Sequence, residues 1–312
     1  RRCRQLADAI DEIVLGQQAV KEKVLVCLLA GGHALIEGVP GTAKTLLALT
    51  IARLVGCRFQ RIQFTPDLMP ADLIGTNIYN QKLHEFEFRA GPIFTDLLLA
   101  DEVNRTPPKT QSALLEAMQE RAATVDGVRR DISPVFLVLA TQNPVEFEGT
   151  YPLPEAQRDR FLLKISIDYP APADERAMLA AYARGRRLHE EVARNVTPIL
   201  GRDELLSIRR VVSRDVRVED AVTDYILKIV TATRGDDSVQ IGAGPRASRA
   251  LLESSRALAV LRGRDFVTPD DVKSMAEPVL LHRVTLSPEA EMEGVLLEDI
   301  LRRIFESTEV PR

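Results

Sequence analysis

Three cysteines, Cys3, Cys27 and Cys57, are all this 312-residue sequence contains, and they stand far apart with no paired spacing. Neither a zinc site nor a disulfide framework is suggested, and a reducing compartment fits. The four histidines, His33, His84, His189 and His282, show no ligand spacing either and read as structural or surface residues. No long apolar run exists: Val24 to Ile36 is interrupted by Gly31, Gly32 and His33, and it falls short of the roughly 18 residues a membrane helix needs. With no span and no signal peptide visible, the default location is cytoplasmic. Runs of like charge are also missing. The formal net charge is −4, with acids and bases interspersed, which argues against a dedicated nucleic-acid surface. There is no internal repeat and no low-complexity tract.

A chain of this length exceeds one compact core, so two packed units or a domain with a satellite is expected. The first half alternates short apolar runs with amphipathic stretches, as a parallel sheet covered by helices does. Strands are predicted at Ala34 to Glu37, Phe59 to Phe64, Leu97 to Asp101, Val135 to Thr141 and Leu162 to Asp168, with helices at Thr45 to Val55 and Thr110 to Arg121. Two segments break the rhythm. Thr76 to Phe88 alternates apolar and polar residues around a polar centre, and Ala123 to Ile132 turns at Asp126-Gly127, a strong hairpin signal. Both are expected to project from the sheet as hairpins. Pro170 to Asp174 reads as a linker, after which strand signals stop. Val218, Ala221, Val222, Tyr225, Ile226, Ile229 and Val230 fall on one helical face, as do Ala250, Leu251, Ser254, Leu258 and Leu261. Thr268-Pro269-Asp270-Asp271 has the hydroxyl, proline and acids of a helix start. The expected organisation is an α/β core over 1–170 and an all-helical unit over 171–312.

The chemistry-bearing residues begin at Gly38-Val39-Pro40-Gly41-Thr42-Ala43-Lys44-Thr45, between a predicted strand and a predicted helix. That context makes it a phosphate-binding loop, in which backbone N–H groups and the helix N-terminus cradle phosphates. Lys44 would reach the β- and γ-phosphates of ATP and Thr45 would ligate Mg²⁺, with Leu46 completing the nucleotide contacts. Ala43 stands where glycine is usual, and its methyl group is tolerable if the residue keeps helical dihedrals. Leu97 to Glu102 is an apolar strand ending in two acids, and a carboxylate there is costly unless it meets a cation. Asp101 is assigned to Mg²⁺ through water. Because strand side chains alternate faces, Glu102 is assigned a separate task, as general base toward the attacking water. A third apolar strand ends in Gln142-Asn143-Pro144, where the Asn143 amide is placed to hold that water. Arg160 lies in Gln157-Arg158-Asp159-Arg160-Phe161; an arginine supplied across a subunit interface stabilises phosphoryl transfer.

These blocks resemble the MoxR family of AAA+ ATPases along nearly the whole chain. The distinctive stretches are Ile13 to Gln17, Ile36 to Thr45, Arg61 to Leu68, Ala90 to Arg105, Gln111 to Glu120 and Ala140 to Phe161. The resemblance implies a P-loop AAA+ core followed by a helical lid, with Gly16 and Gln17 by the adenine and Asn143 as first sensor. Arg160 would be the finger acting on the neighbouring subunit, with Arg158 the competing candidate. Arg246, in Gly244-Pro245-Arg246-Ala247, would be the second sensor reaching the γ-phosphate from the lid, with Arg249 as fallback. Alanine before the loop lysine is usual in this family. The two hairpins would face the ring axis and partners.

The resemblance further implies a hexameric ring that uses ATP and Mg²⁺ to remodel client proteins, often ones carrying von Willebrand factor A domains. No nucleic-acid partner is expected. A magnesium-chelatase-like motor subunit and a nucleic-acid-acting AAA+ motor are the alternatives, and a small-molecule P-loop kinase is the least fitting.

Overall fold

The computed structural model describes residues 2–39, 41–143 and 149–311, the side chains of His189 and Asn195 excepted. The chain opens with α1 (Arg2–Ile13) and α2 (Gln18–Ala30), followed by β1 (Ala34–Gly38) and α3 (Lys44–Leu54). Next come β2 (Phe59–Gln63), α4 (Pro70–Ile74), a hairpin of β3 (Gly75–Asn80) and β4 (Glu85–Ala90), β5 (Leu97–Asp101) and α5 (Pro108–Glu120). A second hairpin, β6 (Ala122–Val125) with β7 (Val128–Asp131), precedes β8 (Leu137–Gln142), α6 (Glu155–Arg158) and β9 (Leu163–Ile167).

β1, β2, β5, β8 and β9 form one parallel sheet in the order β2-β5-β8-β1-β9. Its central strands are apolar because both faces are covered, and successive residues serve opposite sides. Leu98, Ala100, Val138 and Ala140 pack with Leu114, Leu115 and Met118 of α5. Leu97, Leu99, Leu137 and Leu139 point the other way, into a core shared with α1, α2 and α3. The register pairs Gln63 with Asp101, Ile36 with Thr141 and Glu37 with Gln142. The C-terminal ends of four strands therefore share one rim, where open α/β sheets bind ligands.

Both hairpins form as expected. Asp126 and Gly127 have φ of 49° and 78°, the two positive values a tight two-residue hairpin turn needs. The hairpins touch: Asn77 Nδ2 donates to Asp126 Oδ2 at 2.6 Å, and the Arg130 guanidinium lies 3.8 Å over the Phe88 ring.

After the sheet come α7 (Pro172–Ala183), α8 (Leu188–Asn195), α9 (Arg202–Arg214), α10 (Asp220–Ala232), β10 (Val239–Ile241), α11 (Pro245–Leu261), α12 (Pro269–Leu280), β11 (Thr285–Leu286), α13 (Pro288–Met292) and α14 (Leu297–Ser307). The predicted faces are the buried ones: Val222, Tyr225, Ile226, Ile229 and Val230 on α10, and Ala250, Leu251, Ser254 and Leu258 on α11. Thr268 caps α12, accepting from the Asp271 N–H while the Asp271 carboxylate accepts from the Thr268 N–H. Three expectations are corrected. The second half is not wholly helical, since β10 and β11 pair antiparallel; three- and two-residue strands carry too little pattern to be read. The presumed linker is mostly helix, because Pro172 opens α7, a position that suits proline. Ala221 is exposed, before the buried stripe begins. The apolar core is continuous from α2 into α9, α11 and α12, so the helical unit is packed onto the first half.

Candidate active site

Between β1 and α3 the chain turns through the phosphate-loop sequence. A side chain at Gly38 would run into the Ile167 carbonyl of the neighbouring strand, so only glycine lets the loop leave the sheet there. Thr42 Oγ1 donates to the Val39 carbonyl at 3.1 Å and Lys44 Nζ to the Gly38 carbonyl at 2.7 Å, folding the loop around its own centre. Pro40 lies outside the described residues, as do Pro144 and the following positions through 148. Ala43 is not helical: its φ of 58° and ψ of 20° are left-handed. A Cβ there costs about 1–2 kcal/mol, held by the packing of α3 behind it. The methyl group is tolerated as strain at a functional turn, not as helical backbone.

The loop faces a cleft of about 340 Å³ lined by Gly41 to Leu46, Arg61, Gln63, Asp101, Glu102, Thr141 and Asn143. Asp101 is nearly buried, and its two oxygens are both engaged, accepting from Arg61 Nε at 2.6 Å and from Thr141 Oγ1 at 3.2 Å. The same Thr141 hydroxyl accepts from the Glu102 N–H at 2.9 Å, so one side chain orients both acids. Alternation along a strand is not what separates them. β5 ends at Asp101, and Glu102 turns left-handed, with φ 56° and ψ 51°, which brings it back to the cleft that Asp101 faces. There its Oε2 accepts from Gln63 Nε2 at 2.6 Å and pairs with Arg105 at 3.1 Å. Burial lowers the Lys44 ammonium pKa from its ordinary value, while the carboxylates of Asp101 and Glu102 act to raise it.

Gly16 and Gln17 stand beside this site but do not line the cleft. Gln17 Nε2 donates to the Asp168 carbonyl at 2.7 Å, at the end of β9, and Gly16 faces the Asp174 carboxylate at the start of α7. Arg160 and Arg246 are elsewhere. They line a second cleft of about 410 Å³ with Gly31, His33, Arg121 and Leu162. Gly31 to His33 and Leu162 precede β1 and β9, so this cleft is at the N-terminal end of the sheet and the phosphate loop at the other. β1 alone, five residues long, separates them by roughly 13 Å at about 3.3 Å per residue. Within one chain Arg246 therefore stands away from the loop, and its Nη1 bonds Asp159 Oδ2 at 3.3 Å. Of the two finger candidates, Arg160 lines the second cleft and Arg158 does not.

Comparison with known proteins gives these positions a family. Residues 33–163 match the ATPase family associated with various cellular activities (AAA), and residues 231–304 match the AAA lid domain. Chaperone MoxR1 of Mycobacterium tuberculosis is 44% identical, over 97% of this chain and 81% of that one. The chain belongs to the MoxR family of AAA+ ATPases. Protein YeaC of Bacillus subtilis, uncharacterized, is 45% identical over 97% of this chain and 92% of its own length. A crystal structure from Cytophaga hutchinsonii superimposes with a TM-score of 0.91 at 40% identity, covering 100% of this chain and 95% of that one. As a MoxR-type ATPase the chain binds nucleotide and hydrolyses it, and its architecture of parallel core and lid is the family's.

The residues present also fit a magnesium nucleotide. Among the described residues no group of three or more His, Cys, Asp or Glu side chains could hold a metal alone. Thr45 and Asp101 both line the cleft and carry hard oxygen donors, which suits an ion that completes its shell with water and substrate phosphates. Sequence reasoning missed Arg61 and Gln63. They sit two apart on β2, so they share a face, and two polar side chains on one face of a strand end were the available signal. It also missed Met178, Tyr182 and Leu188, which form an apolar wall of the same cleft; Met178 and Tyr182 are four apart on α7. Among the described residues no helix is long and apolar enough to cross a membrane.

Proposed function

We propose that this ATPase works as a ring, hexameric as the family resemblance implies, whose active sites are completed between subunits and whose Mg²⁺-dependent ATP hydrolysis remodels client proteins. The observation that carries the reading is the separation of the two clefts. Lys44, Thr45, Asp101, Glu102 and Asn143 belong to the rim of the nucleotide cleft, whereas Arg160 and Arg246 lie at the opposite end of the same sheet. A second copy has to bring its arginine cleft to the first copy's phosphates. Beside Arg160 and Arg246 the second cleft also gathers Arg121 and Arg249, facing Asp159 and Glu253, a surplus of positive charge that suits a polyphosphate.

In this reading Lys44 and the loop N–H groups hold the β- and γ-phosphates, and Thr45 and Asp101 would hold the metal, which would supply charge neutralisation on the phosphates. Glu102 takes a proton from a water that Asn143 orients. Met178, Tyr182 and Leu188 pack the base, with Gly16 and Gln17 at its edge. Clients with von Willebrand factor A domains come from the family resemblance, and a cytoplasmic setting is the default for a sequence that shows no span or signal peptide.

The test mixes two inactive variants. Arg160→Ala keeps its nucleotide cleft and lacks a finger; Glu102→Gln keeps its finger and cannot hydrolyse. Mixed assemblies should recover hydrolysis at those interfaces where a Glu102→Gln subunit faces an Arg160→Ala cleft. No recovery, with co-assembly shown by native mass spectrometry, defeats the shared-site reading. For the client, Glu102→Gln held in ATP should retain a von Willebrand A domain protein that the ADP state releases; equal retention in both states counts against remodelling.

A further inference from the structure

The segment that carries Arg160 leaves α6 in a turn: the N–H groups of Asp159 to Leu162 are bonded within the core, while three of its carbonyls are taken by the lid. α6 ends at Arg158 and β9 begins at Leu163. Over the gap, three carbonyls are taken by one side chain. Arg283, just beyond α12 and with 4% of its side chain exposed, donates Nη2 to Asp159 O at 3.3 Å and to Phe161 O at 2.5 Å, and Nη1 to Leu162 O at 3.1 Å. Its Nε bonds Asp159 Oδ1 at 2.7 Å, and Nη1 returns to Val279 O of α12 at 2.6 Å. The neighbours repeat the pattern. His282 Nε2, fully buried, donates to Phe161 O at 3.0 Å, and Thr285 Oγ1 donates to Glu155 Oε1 of α6 at 2.6 Å. On the remaining Asp159 oxygen sits Arg246, at the start of α11.

A planar guanidinium offers five donors in fixed directions, so Arg283 sets the orientation of consecutive peptide groups on both sides of Arg160. Lysine has the charge but not the fork. We infer that Arg283, together with Asp159, is a positioning pair for the arginine finger: the lid holds the segment 159–162 in shape and presents Arg160 and Arg246 to the next subunit as one unit. This inference rests on the shared-site reading above.

The experiment uses the full chain and the same mixing scheme, with Arg283→Lys placed on one side at a time. In the finger donor, Glu102→Gln with Arg283→Lys should restore hydrolysis at least about 10-fold less well than Glu102→Gln alone, since misplacing a catalytic group by about 1 Å costs up to about 100-fold. In the acceptor, Arg160→Ala with Arg283→Lys should support as much mixed activity as Arg160→Ala alone. A substitution that merely loosened the protein would lower activity from either side. Equal restoration by both donors, or equal loss from both sides, overturns the inference while leaving the shared site standing. If Glu102→Gln alone restores nothing, the shared site falls and the inference with it. Thr285→Val, which removes one exposed link and leaves the buried guanidinium in place, gives a second reading if Arg283→Lys fails to fold: a smaller loss, again confined to the donor, or no donor loss and the inference fails.

Discussion

His33 is buried at the entry to β1, and replacing it with glutamine should flatten the acid side of the stability profile. Its Nδ1 accepts from the Val138 N–H at 2.9 Å, which leaves Nε2 as the protonated nitrogen donating to the Met118 carbonyl at 3.2 Å. The ring is neutral in that arrangement, edge-on to Phe136 at 5.8 Å. Burial pushes its pKa down from the ordinary 6.5 to about 3, with Arg121 and Arg209 adding to the depression and the Met118 carbonyl opposing it. A histidine depressed in the folded state is protonated more readily in the unfolded chain. Stability is therefore whole above pH 6.5 and falls as pH drops from 6.5 toward 3. Over that window the loss approaches about 1.4 kcal/mol per pH unit, or about 2 kcal/mol by pH 5. His33→Gln is neutral throughout and keeps a donor and an acceptor, at a cost of about 1–3 kcal/mol at neutral pH. Urea melts of both proteins at pH 7.5 and pH 5.0 provide the comparison. The gap between them should shrink by about 2 kcal/mol at the lower pH. Parallel profiles would refute the claim that His33 is kept neutral by the fold. His282, also fully buried and depressed well below its ordinary value by desolvation and by Arg283, leaves a residual slope of the same sign in both proteins.

Ala43→Gly should stabilise the nucleotide-free protein by up to about 1 kcal/mol, because it removes a Cβ from left-handed backbone; a loss of about 1 kcal/mol in thermal unfolding would mean the residue is helical after all. Arg61→Ala removes the guanidinium bonded to the nearly buried Asp101 carboxylate and should destabilise the nucleotide-free protein by about 1–3 kcal/mol, with the penalty reduced when Asp101→Asn is added; additive losses in that double-mutant cycle would show the pair is not coupled. Tyr182→Ala should weaken ATP binding by roughly 2- to 12-fold, the worth of one aromatic contact of about 0.5–1.5 kcal/mol, read by fluorescence titration; an unchanged affinity would remove α7 from the base site.

The sheet was legible because its strands are short apolar runs bounded by turn residues, and the helical faces of α10 and α11 because a single stripe of apolar residues recurs at helical spacing. The Asp126-Gly127 hairpin needed only its dipeptide. Motif residues on the nucleotide cleft could be named because a strand, loop and helix in succession fix where Lys44 and Thr45 stand. What a linear pattern lacks is the third dimension of the rim. Arg61 meets Asp101 only because β2 lies beside β5, a neighbour relation 40 residues apart in sequence. Glu102 shares a cleft with Asp101 because one left-handed residue ends the strand, and backbone sign is not written in an Asp-Glu pair. Arg246 falls at the far end of the sheet, on a helix packed against α2, and nothing in Gly244 to Ala247 says on which end of the core that helix lands.

The most direct measurement of the central claim, that the cleft between the phosphate loop and Asp101-Glu102 is where ATP is hydrolysed, is steady-state hydrolysis by Glu102→Gln alongside its ATP affinity. The substitution keeps an acceptor for Gln63 and removes the base. The account predicts a fall in kcat on the order of 100-fold or more, with ATP still bound within about threefold of the unaltered protein, a change of under about 1 kcal/mol. Undiminished hydrolysis with ATP bound as before would contradict it.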